Sequence, residues 1–295
     1  MDEKEVEQRE ASQAKEQLEA QFKKQLEAEH EFISKKMKNI RYRIVVLSGK
    51  GGVGKTTVAV NLVTALALNG LRVGLLDADI HGPNAPKMLG IKRFVPNVGE
   101  SGIQPAIGPL NTKVMSMDFL LPNPDTPIIW RGPLKMGAIK QFITDVNWGE
   151  LDYLIVDLPP GTGDEPLSIL QLIPNITGVI IVTTPQDVSL LDVRKSITMV
   201  KEMNVPILGI VENMAGFICP SCGAKSNIFG EGGGQKAAKD MNISFLGGIP
   251  IDENVTRDGD KGLPFVVQDA KSQATIAFKE ITDNIRRKIE PGYKG

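Results

Sequence analysis

Beginning at Arg43, short runs of aliphatic and β-branched residues alternate along the chain with longer stretches whose apolar positions recur at helical spacing. The runs RIVVL (43–47), RVGLLD (72–77), YLIVDLP (153–159), GVIIVTTP (178–185) and ILGIVENM (207–214) read as strands. Most are continuously apolar rather than alternating, as expected of parallel strands covered by helices on both faces. Helical patterns lie over Lys55–Asn69, Leu134–Trp148, Ser189–Met203 and Gln273–Ile289. This alternation predicts an α/β fold, a doubly wound and mostly parallel sheet flanked by helices. From about Phe94 to Pro133 the pattern breaks into Gly- and Pro-rich sequence, and a loop of that length usually carries function.

The first 41 residues follow a different rule. Nineteen of them are charged and none is Pro or Gly, which reads as a solvated helix. Leu18, Phe22, Leu26, Ile33 and Met37 form a thin apolar stripe along it, predicting a helical extension that lies on the protein or on a partner subunit. The regular heptads of a coiled coil are missing. The chain thus divides into an extension over 1–41 and one domain over 42–295. Its net charge of −1 offers no electrostatic basis for binding nucleic acid or an anionic membrane. No apolar run approaches the roughly 20 residues of a membrane span. The charged start MDEKEVEQRE is unlike a secretory signal, so a cytoplasmic location is expected.

The first strand runs straight into SGKGGVGKTT, Ser48 to Thr57, and then into a helical pattern. Residues Gly49–Thr56 satisfy G-x-x-x-x-G-K-[ST], and strand, glycine-rich loop and helix are the context in which that pattern binds phosphate. Gly49, Gly51, Gly52, Val53 and Gly54 turn backbone N–H groups toward a phosphate, and the helix N-terminus adds positive potential. Lys55 is expected to reach the β- and γ-phosphates of ATP, and the Thr56 hydroxyl to bind Mg²⁺, with Thr57 beside it. Asp77 and Asp79 follow the second strand, and Asp157 closes a third, at the strand ends where doubly wound proteins place ligands. Asp157 suits a carboxylate that holds the magnesium through water; the plain alternative for these aspartates is to cap the following turns. The loop PPGTGD, Pro159 to Asp164, has the composition of a segment that moves with the γ-phosphate. One oddity remains. Lys50 is a second lysine in a loop that needs one.

The only two cysteines stand together as Cys219-Pro-Ser-Cys222-Gly. In a reducing compartment such a pair is a metal or redox site before it is a structural disulfide. Tetrahedral sulfur sites want four ligands and this chain offers two, so a zinc ion or a [4Fe-4S] cluster would need a second copy of the chain, whose twofold supplies the other pair. A redox C-x-x-C would ordinarily open a helix in a thioredoxin-like unit, whereas this pair follows a strand. Spacing alone does not separate zinc from a cluster. The glycines of IFGEGGGQKAAKDM (228–241) have no assignable chemistry and read as a loop that starts a helix.

GKGGVGKTT resembles the deviant P-loop of the MinD/ParA/nitrogenase-iron-protein group of ATPases. Together with DADIHGPN, WRGP (130–133), DLPPGTGDEP, ENM and CPSCG it is similar to the Mrp/ApbC family of iron–sulfur cluster carriers, over nearly everything from Arg43 to about Val267. The resemblance implies a P-loop ATPase, slow and Mg²⁺-dependent, that works as a homodimer. It implies a [4Fe-4S] cluster bridged by Cys219 and Cys222 of both copies, loaded from an assembly scaffold and passed to apo-proteins. It implies that Lys50 crosses the dimer interface to the partner's nucleotide, where charge on the transferring phosphate gives it a catalytic use. By the same resemblance Asp79 orients or activates the attacking water, and Asn213 reads the adenine edge with help from the loop Pro250–Glu253. Unlike some members, the chain has no cysteine before Cys219. Two other readings stay open: a MinD/ParA-type positioning ATPase with structural zinc, and an electron-transferring reductase, which usually spaces its cluster cysteines widely. A positioning ATPase often carries an amphipathic membrane helix, and the tail TIAFKEITDNIRRKIEPGYKG is a poor one without Trp.

Overall fold

The computed structural model describes residues 20–21, 24–25, 27–80, 82–92, 94–121, 132–219 and 222–295. Its centre is a nine-stranded sheet. The strands are β1 (Ile40–Ser48), β2 (Val73–Asp77), β3 (Ala106–Ile107), β4 (Lys113–Ser116), β5 (Leu151–Asp157), β6 (Gly178–Thr183), β7 (Ile207–Ile218), β8 (Lys225–Ser226) and β9 (Phe245–Ile251). They are ordered β8-β7-β6-β1-β5-β2-β4-β3, with β9 also paired to β7. All pairings are parallel except the short edge pairs of β3 with β4 and β8 with β7. Ile44, Val45, Val46 and Leu47 of β1 are all fully buried, so neighbouring side chains on opposite faces are both covered. That is the physical reason the strands lack alternation, and the doubly wound expectation stands.

The helices that cover the sheet are α1 (Lys55–Leu68), α2 (Ala85–Met88), α3 (Gly132–Thr144), α4 (Asp164–Leu172), α5 (Asp187–Glu202), α6 (Gly233–Asp240), α7 (Glu253–Asp260), α8 (Phe265–Gln268) and α9 (Gln273–Ile289). α1 packs on β1, β2 and β5 and against α9, while α5 packs on β6, β1 and β7. The structure adds four strands to this sheet, a separate two-stranded ribbon of Val98–Gly99 with Gly102–Ile103, and several short helices to the sequence reading. β3 and β4 hide in the Gly- and Pro-rich region because they are two and four residues long. β9 reads FLGGIPI, whose glycines and proline suggest a turn; Gly247 is required there because a Cβ would strike Ile281 of α9. Helix α3 stops at Thr144, short of the expected Trp148, whose indole instead donates to the Phe142 carbonyl at 2.9 Å.

Register decides what stands together at the sheet's C-terminal edge. Asp77 lies opposite Asp157 across β2 and β5, Ser116 opposite Asp77 across β4, and Val46 opposite Asp157 across β1. The first strand therefore delivers the glycine loop beside two strand-end carboxylates.

At the other edge the N-terminal segment enters the core. Residues 27–36 are helical, and Ile33 and Met37 are fully buried among the core side chains. Leu18, Phe22 and Leu26 of the expected stripe lie outside the described residues. Arg43, itself only 7% exposed, donates to the Met37 carbonyl at 2.6 Å and to the Asn175 carbonyl at 3.4 Å. A cation at the carbonyl end of a helix is favourably placed, and here it fastens the segment to the turn before β6. Burial lowers the Arg43 pKa but leaves a guanidinium charged at any ordinary pH. Ile33→Ala should lower the unfolding free energy by roughly 2–5 kcal/mol in urea titration, the range for truncating a buried aliphatic side chain. A loss below about 0.5 kcal/mol, the range of surface substitutions, would show that this helix contributes nothing to the core.

Candidate nucleotide and metal sites

The glycine loop is shaped by what lies under and beside it. Gly54, the residue before α1, has φ 83° and ψ 28°, a left-handed conformation that favours glycine. A Cβ at Gly54 would also collide with the side-chain amide of Asn213, and one at Gly49 would strike the backbone of Asp192 in α5. The Asn213 amide nitrogen donates to the Val53 carbonyl at 2.9 Å, and the residue is 9% exposed. No side chain caps the start of α1 and its first turn holds no acid, so the helix's first N–H groups are left to a ligand. The Ser48 hydroxyl donates to the Lys50 carbonyl at 3.0 Å, and Gly161 N–H donates to the Ser48 carbonyl at 2.8 Å. The loop PPGTGD is thereby tied to the phosphate loop.

Beneath these donors sits a buried ion cluster. Lys55 Nζ lies 2.7 Å from Asp157 Oδ1 and 3.5 Å from Asp79 Oδ2. The Thr56 hydroxyl donates to Asp157 Oδ2 at 2.6 Å. Burial alone would lower the Lys55 pKa, but Asp157 and Asp79 outweigh it and hold the ammonium above the ordinary lysine value. Burial pushes the Asp157 carboxyl up against the pull of Lys55 and Thr56. The Asp77 carboxyl is pushed up as well, by burial first and by Asp157 next. Asp77 performs the plain role weighed for it, since its carboxylate accepts from the Asp79 and Ala85 N–H groups, both at 3.2 Å, and from Ser116 Oγ at 3.0 Å. Three carboxyl groups around one ammonium leave an excess of buried acid, and their mutual repulsion helps to push Asp77 and Asp157 up. Hard oxygen donors from Thr56 and Asp157 suit a small divalent cation such as Mg²⁺, which would relieve that excess.

Above the cluster is a cavity of about 560 Å³. The glycine loop, Lys55, Thr56, Thr57 and Asp79 line it, together with Lys87 and Met88 of α2 and Val255, Gly259 and Asp260 of α7. Those α7 residues were not foreseen. Within Pro250–Glu253, Asp252 caps α7 by accepting from Asn254 N–H at 2.9 Å, and the α7 residues that line the cavity begin one turn later, at Val255. The structure places Asn213 beside the glycine loop, where its amide nitrogen is bonded to the Val53 carbonyl and braces the phosphate loop. A further pair passed unnoticed. Lys135 in the first turn of α3 is 2.8 Å from Glu165 in the first turn of α4, at the exit of PPGTGD. The signal available was a lysine in the first turn of the helix, directly after GPL. Trp130 and Arg131 of the WRGP motif, and His81, lie outside the described residues.

The cysteines occupy the tip of a hairpin that grows out of the same sheet edge. β7 runs twelve residues, past Asn213 and through a kink where Met214 has φ 60° and Gly216 φ 81°, then pairs antiparallel with β8. Cys219 N–H donates to the Ala224 carbonyl at 2.9 Å, and Gly223 N–H to the Cys219 carbonyl at 2.8 Å. Cys219 is half-buried and Cys222 exposed. Six residues separate Asn213 from Cys219, at most roughly 20 Å at the strand rise of about 3.3 Å per residue. Among the described residues no set of three or more His, Cys, Asp or Glu side chains could hold a metal, so among them the two thiolates are not joined by a third such ligand. No helix among the described residues is long and apolar enough to cross a membrane.

Comparison with known proteins agrees with this geometry. Residues 39–286 match the ParA family described as NUBPL iron-transfer P-loop NTPase. A protein of Methanocaldococcus jannaschii named iron-sulfur cluster carrier protein is 55% identical over 91% of this chain and 92% of its own. One of the same name from Saccharolobus solfataricus is 52% identical over 88% of this chain and 87% of its own. Among solved structures, a nucleotide-binding protein from Archaeoglobus fulgidus in complex with ADP superposes with TM-score 0.73 at 41% identity, covering 84% of this chain and 96% of that one. The cell division ATPase MinD of Pyrococcus furiosus superposes with TM-score 0.62 at 24% identity, over 84% and 99% of the two chains, and shares the fold.

The brace under the loop makes a specific expectation. Asn213→Ala removes one neutral hydrogen bond, worth about 0.5–1.5 kcal/mol, and should weaken nucleotide binding about 2- to 12-fold. Because the bond shapes the phosphate loop, calorimetric titration should find ATP and GTP weakened alike. A loss confined to ATP would return Asn213 to the adenine edge.

Proposed function

The chain belongs to the iron-transfer P-loop NTPase family, and on that premise we propose that it is a Mg²⁺-dependent ATPase that carries a [4Fe-4S] cluster between two copies of itself and hands it to apo-proteins. The observation that carries this reading is the shared strand β7. It braces the phosphate loop at Asn213 and, six residues on, presents the cysteine pair at a hairpin tip. Nucleotide and cargo sites are thus two stations on one strand. Relatives named iron-sulfur cluster carrier protein support the cargo, and the Archaeoglobus fulgidus protein in complex with ADP supports the nucleotide.

In this reading Lys55 leaves its 2.7 Å contact with Asp157 and swings its ammonium to the β- and γ-phosphates. Thr56 and Asp157, the latter through water, are the residues that would hold Mg²⁺, and the ion would supply neutralisation of charge on the phosphate oxygens. Gly49, Gly51, Gly52, Val53 and Gly54 line the phosphates with backbone N–H groups, and Thr57 continues the helix start beside them. Asp79, only 8% exposed at the rim of the ion cluster, orients the attacking water. Lys50 reaches the nucleotide of the second copy and stabilises charge on the transferring phosphate. No histidine stands among the described residues that line the cavity, and Asp79 is the one group this reading gives to the water, so turnover is slow. The cluster itself is cargo. Each copy contributes the thiolates of Cys219 and Cys222, and a cube with full protein ligation takes four, so the twofold supplies the rest. A cytoplasmic, reducing setting, with a scaffold protein as donor, keeps those thiolates available.

Two measurements test the reading. After anaerobic reconstitution, iron content against oligomeric mass should give about four irons per dimer, and Cys219→Ala or Cys222→Ala should lose the cluster while retaining most ATP hydrolysis. A full cluster on a monomer, or stoichiometric zinc with no iron uptake, contradicts it. Lys50→Ala should retain ATP binding and slow hydrolysis about tenfold or more, as expected for a lost transition-state contact. Normal hydrolysis by dimeric Lys50→Ala would remove its trans role.

A further inference from the structure

Glu212 is an acid in an unusual place. It is 3% exposed in the middle of β7, between Thr183 of β6 and Gly248 of β9, and it has no part in the ion cluster at the phosphate loop. Its carboxylate accepts hydrogen bonds from the backbone N–H groups of Gly232 and Gly234, at the start of α6. No side chain of its own caps that helix, so Glu212 does the capping from across the sheet edge. The fit is tight at two of these glycines. A Cβ at Gly234 would fall 3.0 Å from the Glu212 carboxylate, and one at Gly233 would strike the Pro185 carbonyl. The glycines of EGGGQ, without chemistry in the sequence, are the seat of this carboxylate.

The position of that seat matters. The cysteine hairpin has two arms. The first, Phe217–Ile218, is the direct continuation of β7 beyond Glu212 and Asn213. The second, Lys225–Ser226, leads through a turn at Asn227, whose carbonyl accepts from Gly230 N–H at 3.1 Å, into α6. Asn213 fastens the strand to the phosphate loop, and its neighbour Glu212 fastens the same strand to the helix that ends the second arm. Without Glu212, only one arm would be held in register with the nucleotide loop.

We propose that Glu212 is a positioning residue that couples the nucleotide site to the cysteine hairpin by holding the start of α6 against β7. The proposal rests on the reading of a nucleotide-driven cluster carrier given above. A shift of the phosphate loop when nucleotide binds moves Asn213 and Glu212 as one strand segment, and α6 carries the movement to the second arm. Both cysteines then move together rather than one.

Coupling between two sites is reciprocal, so the cluster must change ATP affinity by the factor by which ATP changes cluster affinity. The test compares ATP dissociation constants, by anaerobic calorimetry with a non-hydrolysable analogue, for cluster-free and cluster-loaded dimers of the full chain. In the unaltered protein the two should differ about fivefold or more, the usual lower bound of allosteric coupling. Glu212→Ala should bind the analogue with the cluster-free affinity little changed, still load about four irons per dimer, and bring the ratio to about one. Glu212→Gln keeps an oxygen acceptor for the glycine N–H groups and should restore most of the ratio. Where Glu212→Ala fails to fold, Gly234→Ala separates the same contact from the helix side and should likewise shrink the ratio. A ratio in Glu212→Ala or Gly234→Ala equal to that of the unaltered protein overturns the role of Glu212 alone. A ratio of one in the unaltered protein overturns the nucleotide control from which the proposal starts.

Discussion

Everything at the working edge of this protein is arranged around one buried ammonium. Lys55, 5% exposed, stands between Asp157 and Asp79 with Asp77 behind them. An unpaired charge at that depth costs several kcal/mol, so the lysine requires the carboxylates and the carboxylates require the lysine. Three strands must end level to satisfy it, and the register of β1, β2 and β5 achieves this by placing Val46, Asp157 and Asp77 side by side. The glycine loop, the helix α1 that follows and the loop PPGTGD all take their positions from that constraint. The acid excess left over makes the site incomplete on its own. In the proposed function it exchanges its internal ion pair for a metal and a polyphosphate, and such an exchange would move the loops tied to it.

That movement has a route out of the site. Gly161 is bonded to Ser48, so the phosphate loop and the loop after Asp157 cannot shift independently. Lys135 and Glu165 tie the exit of that second loop to α3. On the other side Asn213 passes any displacement of Val53 into β7, whose far end is the cysteine hairpin. A parallel sheet makes this natural: its strands all end at one edge, so sites that are distant in sequence become neighbours there.

Much of this was legible in the residues. The buried strands showed themselves as unbroken runs such as RIVVL and YLIVDLP, because burial on both faces leaves no polar position to alternate. The phosphate loop was legible because its chemistry is local: glycines, a lysine and a hydroxyl within eight positions. Contacts that depend on register were not legible. Nothing in ENM shows that Asn213 turns under Val53 while Glu212 turns to Gly234, since those partners lie 160 and 22 positions away. β9 was hidden because FLGGIPI carries turn residues whose purpose, clearance for Ile281, appears only in the packed structure. The α7 wall of the nucleotide cavity was missed for the same reason: Val255 and Gly259 have no side-chain chemistry to advertise a ligand.

The central claim is that the state of the nucleotide governs the cargo on the hairpin. It is tested most directly by the rate at which the reconstituted dimer delivers its cluster to an apo iron–sulfur acceptor without nucleotide, with ADP, and with a non-hydrolysable ATP analogue. The account predicts rates that separate by about fivefold or more between the ATP-analogue and nucleotide-free states. Equal rates in all three states, from a dimer that binds each nucleotide and carries a full cluster, would contradict it.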